Sequence, residues 1–187
     1  MDRSIVSGRP DGIAARGPSR LARRAILAAL LASPARAQEP FAEAASRRLV
    51  LNGTGVRRFF GFQVFRGYLY LVARESDAAR IIASPEPKLL RLVYLRDVDR
   101  GRLVSTWEEA FATHCGCAVP PDFRARFRDL REGEVETWLF TPAGAEVRYG
   151  NEAPARVPAA DAPRLLAYFI GADAPSDGLR RGLLGLS

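Results

Sequence analysis

The run from Lys88 to Arg96 constrains this chain more than any other segment. In an extended strand Leu90, Leu92 and Tyr94 share one face, and Leu89, Val93 and Leu95 fall mostly on the other. A strand apolar on both faces sits at the centre of a sheet and is covered on both sides. The rest of the chain must therefore supply flanking strands and a helical layer.

Strands are indicated upstream and downstream of it. Arg48 to Val72 is rich in aromatic and β-branched residues and reads as strand, with Asn52-Gly53-Thr54-Gly55 as a turn. Glu134 to Thr141 and Ala145 to Tyr149 form a hairpin, in which Val135, Thr137 and Leu139 alternate with Glu136, Trp138 and Phe140. Helical spacing appears between them. Ser76 caps a short helix that Pro85 and Pro87 close. Leu103, Trp107, Ala110, Phe111 and His114 form an apolar stripe, and Phe123, Phe127 and Leu130 form another that ends at Gly133. Asp161 caps a helix carrying Leu165, Leu166, Phe169 and Ile170, and a last one holds Leu179, Leu183 and Leu184. Strands separated by helix pairs, without regular alternation, predict one α+β domain: an open-faced antiparallel sheet with helices packed on one face.

The charge is distributed unevenly. The net charge is +7, but residues 1–37 hold seven arginines against two acids, and the remainder is nearly balanced at 21 basic against 19 acidic. This argues against nucleic acid as a partner, because the cations lie off the predicted fold. The N-terminal segment has the parts of a secretory signal: Arg20, Arg23 and Arg24, the apolar run Ala25 to Ala32, then Ala35-Arg36-Ala37 before Gln38. Residues 1–37 are accordingly expected to be a signal peptide with an N-terminal extension, and 38–187 the mature domain, exported and periplasmic. The Arg23-Arg24 pair leaves general secretion and twin-arginine export both open. The apolar run is too short to span a bilayer as a helix, so no transmembrane segment is expected.

His114-Cys115-Gly116-Cys117 gathers the single histidine and both cysteines into four residues. A closed zinc site needs four ligands and wider cysteine spacing, so no metal is expected there. A thiol pair closing so small a loop leaves a redox role as a weaker alternative, beside a packed histidine and a stapled helix end. No nucleotide loop or nucleophile motif indicates a cofactor. Arg57 stands apart because it opens an aromatic segment containing Phe59, Phe60, Phe62 and Phe65. A guanidinium beside an apolar wall can clamp a carboxylate or phenolate. An ordinary surface arginine paired with an acid is the competing reading.

Leu51-Asn52-Gly53-Thr54-Gly55-Val56-Arg57, the strand ending Tyr68-Leu69-Tyr70-Leu71, Pro87 to Leu92 with Leu95 to Val98, and the C-terminal Phe169-Ile170-Gly171 and Leu179 to Gly185 together resemble the exported bacterial chalcone isomerase-like proteins. The resemblance implies an open-faced sheet with a ligand cleft between it and a helix layer. Some members of that family cyclise chalcones by adding a phenolate to an enone, and others bind fatty acids without known catalysis. The family arginine corresponds to Arg57. The Tyr, Lys and Asn of the enzymes correspond to Arg100, Leu103 and Trp107, and their sheet threonine to Phe65. Leu103 and Trp107 cannot hold a catalytic water or polarise a ketone. The resemblance thus implies a non-catalytic domain binding a small amphipathic anion such as a fatty acid through Arg57, Phe65, Leu103 and Trp107. An intramolecular lyase with a different residue set is the alternative.

Overall fold

The computed structural model describes residues 48–186, which lie within one compact unit. The segment read as an export signal, residues 1–37, and the mature start at Gln38 lie outside the described residues. Six strands form one antiparallel sheet in chain order: β1 (Val50–Phe59), β2 (Phe62–Leu71), β3 (Lys88–Tyr94), β4 (Val135–Thr141), β5 (Gly144–Tyr149) and β6 (Ala155–Pro158). Between β2 and β3 lies α1 (Ala78–Ala83). Between β3 and β4 come α2 (Arg100–Ala110), a π turn (Phe111–Cys115) and α3 (Pro121–Arg124). After β6 follow α4 (Ala162–Ile170) and α5 (Asp177–Leu183). Among the described residues no helix is long and apolar enough to cross a membrane.

The period of two along each strand puts the core on one face. Leu69, Leu90, Trp138, Val147 and Ala155 are successive cross-strand partners, and all are buried. The helices lay Leu103, Trp107, Leu165, Phe169, Leu179 and Leu183 onto that row. The Trp107 ring is 5.0 Å from Trp138 and 5.4 Å from Phe123. Each such ring, fully buried, stabilises the fold by roughly 2 to 3 kcal/mol. On the opposite face of β3, Leu89 and Val93 are half-buried and Arg91 is exposed. The expected cover on both sides of β3 is therefore complete only on the helix side, which keeps the sheet open-faced.

Several local expectations are corrected. Asn52-Gly53-Thr54-Gly55 lies inside β1 and is not a turn. The glycines serve close packing: a Cβ on Gly53 would lie 2.2 Å from the Gly182 carbonyl oxygen, and one on Gly55 2.3 Å from that of Leu179. Asn52 completes this seam, donating from Nδ2 to the Leu183 carbonyl at 2.9 Å. The hairpin turn is Phe60-Gly61, with φ of 46° and 82°. Asp77, and not Ser76, caps α1, accepting from the Ala79 and Arg80 N–H groups. The second apolar stripe is helical only through Arg124; Phe127 and Leu130 are buried from irregular chain, where Leu130 and Val98 exchange two backbone hydrogen bonds of 2.9 Å. Asp161 precedes α4 without a side-chain capping bond. Strand β6, short and flanked by Pro154 and Pro158, carries too little periodicity to be read from sequence.

Candidate functional site

The sheet and α2 diverge at the end of β1, β2 and β3 nearest the Phe60-Gly61 turn. Cross-strand pairing sets Arg57 beside Phe65, and Phe65 beside Tyr94, on the helix-facing side. A register shift between Arg57 and Arg58 accompanies this placement. Such bulges re-aim side chains at sheet edges. Helix α2 begins at Asp99, whose carboxylate accepts from the Arg102 N–H at 2.9 Å. It presents Leu103 and Trp107 to the same space, and α4 adds Tyr168. Together these enclose a cavity of about 510 Å³, within the range of small-molecule sites.

Arg57, Phe65, Leu103 and Trp107, singled out from sequence, all line this one cavity. Phe59, Phe60 and Phe62 do not form the buried wall expected of them; they are exposed at the hairpin tip, along the cavity's outer rim. Tyr68 and Tyr70 pair with Arg91 and Leu89 on the other face of the sheet. Arg100 is outside the cavity, donating from Nε to the Phe127 carbonyl at 3.0 Å.

Arg57 is half-buried, and among the described residues its guanidinium has no hydrogen bond or carboxylate partner. The surface ion pair offered as the competing reading is not formed there. The group close enough to feel its charge is Tyr168: burial pushes that hydroxyl's pKa up, and Arg57 pulls against the shift. The His114 ring lies edge-on to Tyr168 at 5.1 Å, half-buried at the cavity wall rather than packed in the core.

Beneath the cavity is a buried polar cluster. The Tyr94 hydroxyl and the Trp138 indole N–H each donate to Glu136, at 2.6 Å. Glu136 has no exposed surface, and burial pushes its carboxyl up to about 7 while the two donors oppose the shift. Burial, then the charge of Glu136, push the Tyr94 hydroxyl well above its ordinary range. The Tyr149 hydroxyl is buried nearby, close enough to Trp107 for the indole to act on its ionisation, but outside hydrogen-bond geometry.

Sequence reasoning missed Tyr94, Glu136 and Tyr168 as site residues. Strand parity was the available signal for two of them, because Tyr94 shares a face with Leu90 and Leu92, and Glu136 with Trp138. Tyr168 adjoins Phe169 on α4, and nothing in the sequence sets it opposite Arg57.

Cys115 and Cys117 are joined in a disulfide. The sulfurs lie near an Asp161 carboxylate oxygen, but a disulfide lacks the thiolates that zinc requires. Cys115 is buried in the core and its carbonyl accepts from Arg164 Nη1 at 3.0 Å. The stapled helix end is thus part of the packing.

Residues 37–185 match the chalcone isomerase-like family. The chain belongs to that family. Among solved structures, a fatty-acid binding protein of Arabidopsis thaliana has a similar fold, with a TM-score of 0.58 at 11% identity over 73% of this chain and 86% of that one. No curated protein matches in sequence. The chalcone isomerase-like fold accounts for the open-faced sheet with helices on one side and for the cavity between the two layers.

Proposed function

We propose that this is an exported, periplasmic, non-catalytic domain that binds a small amphipathic anion, such as a fatty acid, with Arg57 as its anchor. The observation that carries this reading is Arg57 itself, a half-buried cation without a carboxylate partner among the described residues, facing an apolar cavity. Its charge favours a bound carboxylate, and Tyr168 is placed to donate a second hydrogen bond to the headgroup. Phe65, Leu103 and Trp107 offer the apolar tail a wall. The fatty-acid binding protein that shares the fold supports the same ligand class.

Calorimetric titration of a medium-chain fatty acid is the test. Arg57→Ala is expected to weaken binding by about 2 kcal/mol, roughly thirtyfold, since it leaves the headgroup without its partner in a partly desolvated site. Arg57→Lys recovers part of this, because an ammonium keeps the charge but not the planar two-pronged fit. Equal affinity in all three proteins would remove Arg57 as the anchor.

One observation favours the alternative, an intramolecular lyase of the chalcone isomerase type: Tyr168 and His114 stand near Arg57, at the cavity. With Leu103 and Trp107 in place of polar groups, cyclisation of a hydroxychalcone is expected to stay within about tenfold of the spontaneous rate. Positioned acid–base groups typically supply ~10² to 10⁴-fold. Rapid turnover abolished by Arg57→Ala would establish the enzyme instead.

A further inference from the structure

The β1–β2 hairpin ends in three phenylalanines that the fold does not bury. Phe60 is 85% exposed, Phe62 63% and Phe59 40%. Isolated apolar residues at a surface are ordinary, but three aromatic rings at one turn form a patch of the kind that marks an interaction site. The backbone adds an independent observation. Phe60 sits at φ of 46°, the one non-glycine residue with positive φ among the described residues. Asn, Asp or Gly adopts this conformation at such a hairpin turn with little strain, whereas a bulky aromatic is an outlier there. The fold gains no core packing from Phe60 in return, so the ring's use lies outside the fold.

The surroundings of the tip identify the partner. Arg58 directly precedes Phe59, the Arg96 guanidinium lies 5.0 Å from the Phe62 ring, and that of Arg102 lies 5.1 Å from the Phe59 ring. None of the three has a carboxylate partner among the described residues. The nearest acids are already engaged: Asp97 with Arg131 and the Glu132 N–H, and Asp99 with the start of α2. Aromatic rings projecting beyond a collar of unpaired arginines match the two zones of an anionic bilayer surface, where rings enter the headgroup–acyl boundary and cations meet the lipid phosphates. Backbone pairing continues to Phe59 and Phe62, directly flanking the turn, so few unpaired polar groups would enter with the rings.

We propose that the Phe59–Phe62 hairpin tip is a docking element for anionic phospholipid bilayers. The same three phenylalanines border the mouth of the Arg57 cavity, so a docked molecule opens that cavity toward the lipid. The docking itself does not depend on what the cavity binds.

Vesicle co-flotation tests this with the whole mature domain, on phosphatidylcholine vesicles with and without phosphatidylglycerol. The wild type is expected to float with the anionic vesicles and much less with the neutral ones. Phe60→Asn combined with Phe62→Ser is expected to lower partitioning by about tenfold or more. Its thermal stability should not fall, because Asn suits the turn and neither ring is packed. Arg58→Glu with Arg96→Glu is expected to lower binding to anionic vesicles more than about tenfold, since each surface arginine is worth roughly fivefold there. A wild type that ignores anionic vesicles overturns the proposal, as does undiminished binding by both variants. Self-association abolished by the tip variant, without vesicle binding, would overturn it in favour of an interface between two copies of the chain.

Discussion

Replacing Gly182 with Ala is expected to destabilise the protein by about 3 kcal/mol in urea denaturation, at the upper end of ordinary overpacking. In an exposed helix the same change stabilises by roughly 0.5 to 1 kcal/mol, because Ala loses less backbone entropy on folding. Here the sign reverses for a steric reason. A Cβ on Gly182 would lie 2.2 Å from the Thr54 carbonyl oxygen and 2.5 Å from the Gly55 Cα. Both atoms belong to the backbone of β1, so neither can rotate aside. Helix α5 would have to lift from the strand and carry the buried Leu179 and Leu183 with it. Gly178, on the same helix, has open space where its Cβ would be, and Gly178→Ala is expected to leave stability unchanged or raise it. Equal behaviour of the two variants would show that α5 is not seated against β1.

The second large effect is a fall in stability as pH rises from about 4.5 to about 7. Glu136 is buried and keeps its proton in the native state up to about 7, against an ordinary value of 4.5. In the unfolded chain it ionises near that ordinary value. Between the two, the native state holds the additional proton, so raising the pH favours unfolding. The full contribution is present below pH 4.5, declines through the window and is lost above about 7, a change on the order of 3 kcal/mol. Glu136→Gln removes the titration while still accepting from Trp138, and its amide can donate to the Tyr94 oxygen. The difference between wild type and Glu136→Gln, followed by urea denaturation across pH 4 to 8, isolates this group from Glu146 and Asp97, whose carboxyls shift in opposite directions. Parallel pH profiles would show that Glu136 is solvated.

Both effects arise where the residue pattern is silent. Gly53, Gly55 and Gly182 read as turn or helix-interior glycines, because sequence shows what conformations a glycine permits and not which backbone lies against it. Glu136 alternates with apolar residues on β4 as a solvent-facing acid would. Its burial depends on Tyr94 and Trp138, and Tyr94 lies 42 positions away in the chain.

What the sequence determined by itself was the period of each segment. Alternation fixed most of β2 to β5, the spacing of Leu103, Trp107 and Ala110 fixed α2, and the order of these elements led to an open antiparallel sheet with helices on one face. Those signals are local, carried by neighbours a few residues apart, and the core follows from them. Tertiary structure alone decided which arginine enters the cavity. Arg57 and Arg58 are adjacent, and plain alternation would permit either to face inward. The register shift between them and the Phe60-Gly61 turn turn Arg57 toward Phe65 and Tyr94. Its approach to Tyr168 then requires α4 to lie across the sheet. A bulge and a helix–sheet seam are set by packing between distant segments, and a single sequence records neither.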